Sequence, residues 1–165
     1  MLGPTYADWN DYGVGLVLSE LLSFNFLLPA VREKGGAYGA GCKVNESGVV
    51  DFYSFRDPNI SHTFNNFEWA VQQVIEGNFA ERDIQEAKLL AFQKLDKVLE
   101  PSYKGLLSFT RGYSDEHRLM LRLRALDCQK EDLKQFAEKY IMSAIEAGKT
   151  SRVVFGSQYE SKELI

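Results

Sequence analysis

The run GGAYGAGCKVNESGVVDFYSFR, residues 35–56, decides the fold. Two stretches within it, Ala37–Val44 and Val49–Arg56, have the small, β-branched and aromatic character of strands. Asn45-Glu46-Ser47-Gly48 between them is turn chemistry, so the pair is predicted to form a β-hairpin. Side chains alternate along a strand, so Val50 and Phe52 share one face and Tyr53 and Phe55 the other. Both faces are partly apolar, and helices are expected to cover at least one of them.

Helical patterns flank the hairpin. Upstream, Val14, Val17, Leu18, Leu21, Leu22 and Leu28 recur at helical spacing, with Asp8 and Asn10 as candidate N-caps. Pro29 lacks an N–H and clashes with the preceding turn, which predicts a break near Ser23–Phe26. A second short helix then runs through Arg32 to a glycine C-cap at Gly35-Gly36. Downstream, Asp57-Pro58-Asn59 ends the hairpin and Ser61 is a candidate cap. The helix it opens carries Phe64, Phe67, Val71, Val74 and Ile75 as its buried stripe and ends at Gly77-Asn78. Another helix is predicted from about Glu81 to Leu99, with Ile84, Ala87, Ala91, Leu95 and Val98 facing inward and Pro101 as its stop. Helical segments follow after Ser114 and from about Lys130 to Ile145, with Gly148 ending the last. Arg152-Val153-Val154-Phe155 reads as a final strand.

This order gives an α+β fold, a mostly antiparallel sheet covered by helices, as one domain over residues 1–165. Three strands make a thin sheet for so many helices. Strands preceding Met1 in a longer parent, or a strand from another molecule, are expected to complete it. Until then its edge is open to self-association.

Composition excludes several classes. The chain is 45% hydrophobic and 25% charged, an ordinary globular balance. A net charge of -4 with no basic run argues against a nucleic-acid partner. The longest apolar run, Val14 to Leu28, is interrupted by Ser19, Glu20, Ser23 and Asn25 and falls short of the ~20 residues that span a bilayer, so no membrane is expected. Cys42 and Cys128 have neither metal-ligand nor disulfide-framework spacing and read as reduced, half-buried thiols.

Few residues offer chemistry. His62 and His117 are far apart, and no H-x-x-E-H or H-E-x-x-H occurs, so no metal site is expected in this chain. There is no G-x-S-x-G elbow. Glu81/Asp83 and Asp115/Glu116 stand where helices begin and complement the macrodipole there. The glycine-rich stretch 35–41 is neither a P-loop nor a dinucleotide fingerprint. On spacing alone it is first a helix C-cap running into a closely packed strand, and second a cleared surface where an extended peptide could lie.

Three blocks carry a family resemblance: Ser23-Phe24-Asn25-Phe26-Leu27, Arg32-Glu33-Lys34-Gly35-Gly36-Ala37-Tyr38-Gly39 and Tyr53-Ser54-Phe55-Arg56-Asp57-Pro58. Together with Ser114-Asp115-Glu116, and in this order, they resemble the C-terminal domain of the pitrilysin/insulinase zinc metallopeptidases, in the presequence-protease and falcilysin-like branch. The resemblance spans nearly the whole chain. It implies the mitochondrial-processing-peptidase-like fold and a four-domain enzyme that closes around peptide substrates. It also implies that the N-terminal domains are this chain's partners, that the first of them holds the zinc cofactor, and that this chain alone is inactive. In that arrangement Arg32 and Tyr38 stabilise the substrate carbonyl oxygen across the chamber, and Gly35, Gly36 and Gly39 line the substrate path. The implied compartment is the mitochondrial matrix or a plastid, or a digestive vacuole or apicoplast in falcilysin-like relatives. The alternative is a non-catalytic binding or structural subunit related to mitochondrial processing peptidase. Without the resemblance, Arg32 is simply a cation at a helix C-terminus and Tyr38 a residue packed on the sheet.

Overall fold

The computed structural model describes residues 9–45, 47–96 and 114–156, with 100, 103, 105, 106 and 109 between them. In chain order the elements are α1 (Trp9–Leu21), α2 (Leu22–Lys34), β1 (Gly39–Val44), β2 (Val50–Phe55), α3 (Ile60–Glu76) and α4 (Glu81–Leu95). They are followed by α5 (Asp115–Asp127), α6 (Lys130–Phe136), α7 (Ala137–Met142) and α8 (Ser143–Glu146). The fold is α+β, with helices packed around one antiparallel hairpin.

The hairpin forms as the sequence predicts. β1 and β2 pair from Gly39↔Phe55 to Val44↔Val50. Asn45 sets the turn: its Oδ1 accepts the N–H groups of Ser47 and Val49, and Gly48 adopts φ 85°. Val50 and Phe52 are buried, whereas Tyr53 and Phe55 stay exposed, so helices cover one face. Phe52 stacks against Phe67 of α3 at 5.3 Å between ring centroids.

α1 is the central element, in contact with α4, α5, α6 and β1. Val14, Val17, Leu18, Leu21 and Leu22 are buried along it and into α2, the apolar face expected from periodicity. The expected break near Ser23–Phe26 is absent. The helix continues through Pro29 to Lys34 because α2 is wound as a π-helix. A wider i→i+5 turn relieves the clash that a proline ring makes with the preceding α-turn. The small polar residues of this helix bond locally. Ser19 Oγ donates to the Leu16 carbonyl, and Ser23 Oγ donates to the Ser19 carbonyl while accepting the Cys42 N–H at 2.8 Å. Ser23 thereby closes the outer edge of β1. Continuity has another result: Asp11–Lys34 is long and apolar enough to cross a membrane by length and composition. The run is therefore not too short, as its interruptions implied; most of it is buried inside the protein as the core helix.

Other boundaries shift. α3 begins at Ile60 with Asn59 as its N-cap, so Ser61 lies within the helix and Asn10 lies within α1. Ser114 caps α5, accepting the His117 N–H. α4 ends at Leu95; Asp8, Val98, Leu99 and Pro101, which bear on the remaining predicted ends, lie outside the described residues. Residues 151–156 are not a strand, and the sheet has two strands among the described residues. This segment is fixed by side chains instead: Arg152 pairs with Glu68 at 3.0 Å and lies over the Phe64 ring. Both cysteines are fully buried, not half-buried. Burial pushes the Cys42 thiol far above its ordinary range, reinforced by Asp51 and Glu20, and pushes Cys128 up to about 12.

The α5–α6 junction carries an acid-sensitive pair. Burial alone would raise the pKa of Asp132, but the Arg124 guanidinium at 2.8 Å and the Gln129 N–H outweigh it and hold the carboxyl below its ordinary 3.8. A depressed carboxylate stabilises the fold above the unfolded value, and that contribution is lost as pH falls through the folded value. The thermal midpoint of Asp132→Asn is therefore expected to lie below wild type at neutral pH, with the gap closing below about pH 4. A gap independent of pH would show that the pair contributes nothing through its charge.

Candidate functional site

The exposed turn between α2 and β1 gathers the residues that the sequence singles out. Arg32 stands in the last turn of α2 with its side chain exposed. Among the described residues its guanidinium makes no hydrogen bond or ion pair. The Gly36 N–H donates to the Arg32 carbonyl at 3.0 Å and the Ala37 N–H to the Val31 carbonyl at 3.1 Å. This is a Schellman-like closure, and it requires the left-handed φ of 82° at Gly36. Gly35 is required for a different reason: a Cβ there would lie 2.5 Å from the Val31 carbonyl oxygen.

Ala37 is buried and anchors the turn. Tyr38 follows, 68% exposed, with its N–H donating to the Phe55 carbonyl at 3.0 Å. Its ring meets the Phe55 ring edge-on at 6.0 Å, and the Arg56 guanidinium lies over it at 5.7 Å. Among the described residues its hydroxyl makes no hydrogen bond. Arg32 and Tyr38 thus stand at the two ends of a fixed turn, both with polar ends unpaired among the described residues. Gly39 opens onto space: a Cβ added there would meet no atom within 4 Å.

The loop after β2 supports this turn from below. Asn59 Nδ2 donates to the Gly35 carbonyl at 2.8 Å, and the Asn59 N–H donates to Asp57 Oδ1 at 2.8 Å. Pro58 packs beside Gly36, where an added Cβ would sit 3.5 Å from its Cγ. Residues 56–59, read from sequence as the end of a strand and in part as a block of the family resemblance, are therefore the second half of the candidate site. Their sequence signals are the turn chemistry Asp57-Pro58-Asn59 and the block Tyr53–Pro58, neither of which ties them to the turn before β1.

Two cavities flank the turn. One of about 470 Å³ is lined by Ala30, Lys34, Gly35, Asn59, His62 and Trp69. A groove of about 1050 Å³ runs beside β2, lined by Gly36, Tyr53, Phe55, Phe64, Val153 and Phe155. Arg32 and Tyr38 line neither. Among the described residues no group of three or more His, Cys, Asp or Glu side chains is placed to hold a metal ion. Both cysteine thiols are buried with raised pKa and supply no nucleophile.

The family model described as the PreP C-terminal domain matches residues 9–158. Among curated proteins, the chain is 39% identical over 136 residues to "Presequence protease, mitochondrial" of Mus musculus, covering 82% of this chain and 13% of that protein. It is 37% identical over 131 residues to the protein of the same name in Xenopus tropicalis, covering 79% and 13%. The Gibberella zeae protein of that name is 34% identical over 154 residues, covering 92% and 15%. The chain thus spans only 13% to 15% of the length of these relatives.

Proposed function

The chain belongs to the PreP C-terminal domain family, and on that premise we propose that it is one domain of a longer, zinc-dependent, peptide-degrading endopeptidase, to which it contributes Arg32 and Tyr38. The observation that carries the reading is the pair itself: a guanidinium and a phenol, both exposed and unpaired among the described residues, at the two ends of a turn fixed by Gly35, Gly36 and Ala37. Attack on a peptide carbonyl builds negative charge on its oxygen. Donors already aimed at that position stabilise the charge without reorganising at the moment of reaction. Arginine suits this role because it stays protonated and offers a rigid fork of N–H groups.

Zinc belongs, in this reading, to an N-terminal domain of the same protein, and that domain is this chain's main partner. Gly39, open on its outer side, leaves room for a substrate backbone to pass close to the strand. The relatives carry mitochondria in their names, and the full-length protein is assigned to that compartment on the same grounds.

Arg32→Gln tests the reading without disturbing the fold. In the full-length protein kcat/KM for a peptide is expected to fall about tenfold, the scale of a lost charge-assisted hydrogen bond. The thermal stability of the chain is expected to stay within about 0.5 kcal/mol, because the side chain is exposed and makes no hydrogen bond or ion pair among the described residues. Unchanged kcat/KM would remove Arg32 from the site. Absence of any peptide hydrolysis by the wild-type full-length protein would favour the alternative of a non-catalytic subunit.

A further inference from the structure

Arg56 is, among the described residues, the one residue other than glycine with a left-handed backbone, at φ 49°. An L side chain is strained there, and glycine is the residue that adopts the conformation freely. A strained position that keeps a long side chain points to a use for that side chain. An ion pair does not supply it. Among the described residues the Arg56 guanidinium makes no hydrogen bond or salt bridge, and its neighbour Asp57 turns Oδ1 to the Asn59 N–H and leaves Oδ2 buried without a partner. The guanidinium reaches two aromatic rings instead, 5.7 Å from the centroid of Tyr38 and 5.4 Å from that of Phe55. Phe55 in turn meets the Tyr38 ring edge-on, with an interplanar angle of 79°.

We propose that Arg56 is a positioning residue for Tyr38. Its strained backbone turns the guanidinium back over the exposed phenol ring, and the cation and the Phe55 edge together limit the directions in which the hydroxyl can point. The inference rests on the role given to Tyr38 above and adds a residue that acts through it.

The test uses the full-length protein with Arg56→Gly and Arg56→Lys, each in the wild-type and Tyr38→Phe backgrounds, reading kcat, KM and the thermal midpoint. Arg56→Gly is expected to lower kcat about two- to fivefold, the range of an exposed cation–π contact, with KM within about twofold. The thermal midpoint is expected to hold or rise, since glycine relieves the strained φ. Arg56→Lys, which keeps the cation, is expected to retain most of kcat. In the Tyr38→Phe background, where no hydroxyl remains to be aimed, Arg56→Gly is expected to cost nothing further. An equal loss in both backgrounds would mean that Arg56 acts on the substrate itself, which overturns the positioning role. So would a thermal midpoint that falls in step with kcat, because that pattern marks a structural residue. Full kcat in Arg56→Gly beside a large loss in Tyr38→Phe overturns this inference and leaves the Tyr38 reading standing. Full kcat in Tyr38→Phe overturns both.

Discussion

Replacing Tyr38 by Phe is expected to lower kcat of the full-length protein about 100-fold while KM moves less than about threefold. The substitution is clean because of how the ring is held. Its contacts with Phe55 and Arg56 use the ring, and its backbone bond to the Phe55 carbonyl uses the N–H, so all three survive. Only the hydroxyl is lost. That hydroxyl makes no bond within the described residues, so the folded state does not depend on it. A donor that acts only on charge developing in the transition state affects kcat and spares ground-state binding. Steady-state kinetics on a peptide of defined sequence checks the claim, and a wild-type kcat would remove Tyr38 from the chemistry.

Lys94→Met should be the most destabilising of the substitutions considered, by about 2–3 kcal/mol. Glu20 is 2% exposed, inside the core that α1 forms with its neighbours. One carboxylate oxygen is paired with Lys94 of α4, and the other, buried, has no partner among the described residues. Removing the cation strands a charge in the interior. The expected loss is set below the usual 3–5 kcal/mol for a broken buried pair because Lys94 itself is largely in water. Glu20→Met/Lys94→Met should recover to within about 1 kcal/mol of wild type, since a matched apolar pair needs no desolvated charge. Urea unfolding of the three variants measures this. If the double variant is as unstable as the single one, the loss comes from packing and not from the stranded carboxylate.

The parts of the fold that depend on short-range rules were legible. Asn45 and Gly48 announce the hairpin because one side-chain oxygen and one positive φ build the turn on their own. The buried stripe of α3, with Phe67, Val71 and Val74, follows from a period of 3.6. Two readings failed where the rule assumed a geometry. Pro29 breaks an α-helix, but α2 is not α-wound. Val153 and Phe155 alternate as a strand does, yet Arg152 fixes that segment through Glu68 and Phe64 without a ladder.

The site was legible by half. Arg32 and Tyr38 stand out through their block of sequence, and Gly35 and Gly36 through the C-cap they form. Arg56 and Asn59 fall in or beside a block of their own, but nothing in the sequence joins them to the turn before β1. One acts through a ring eighteen positions earlier, and the other through a carbonyl twenty-four positions earlier, contacts that exist only once the hairpin brings the two loops together.

The π winding of α2 also governs azimuth. Each residue of an α-helix turns the chain by about 100°, whereas a wider turn advances less per residue, so thirteen residues of π winding rotate the end of α2 relative to an α-wound helix of equal length. The compass bearing of Arg32 is therefore encoded along the whole of α2, upstream of the turn that presents it. A single-residue deletion at an exposed position upstream of Arg32 is absorbed if one wide turn narrows, and everything after it then keeps its bearing. Where no turn narrows, the same deletion swings Arg32 and the hairpin after it by about 100° together.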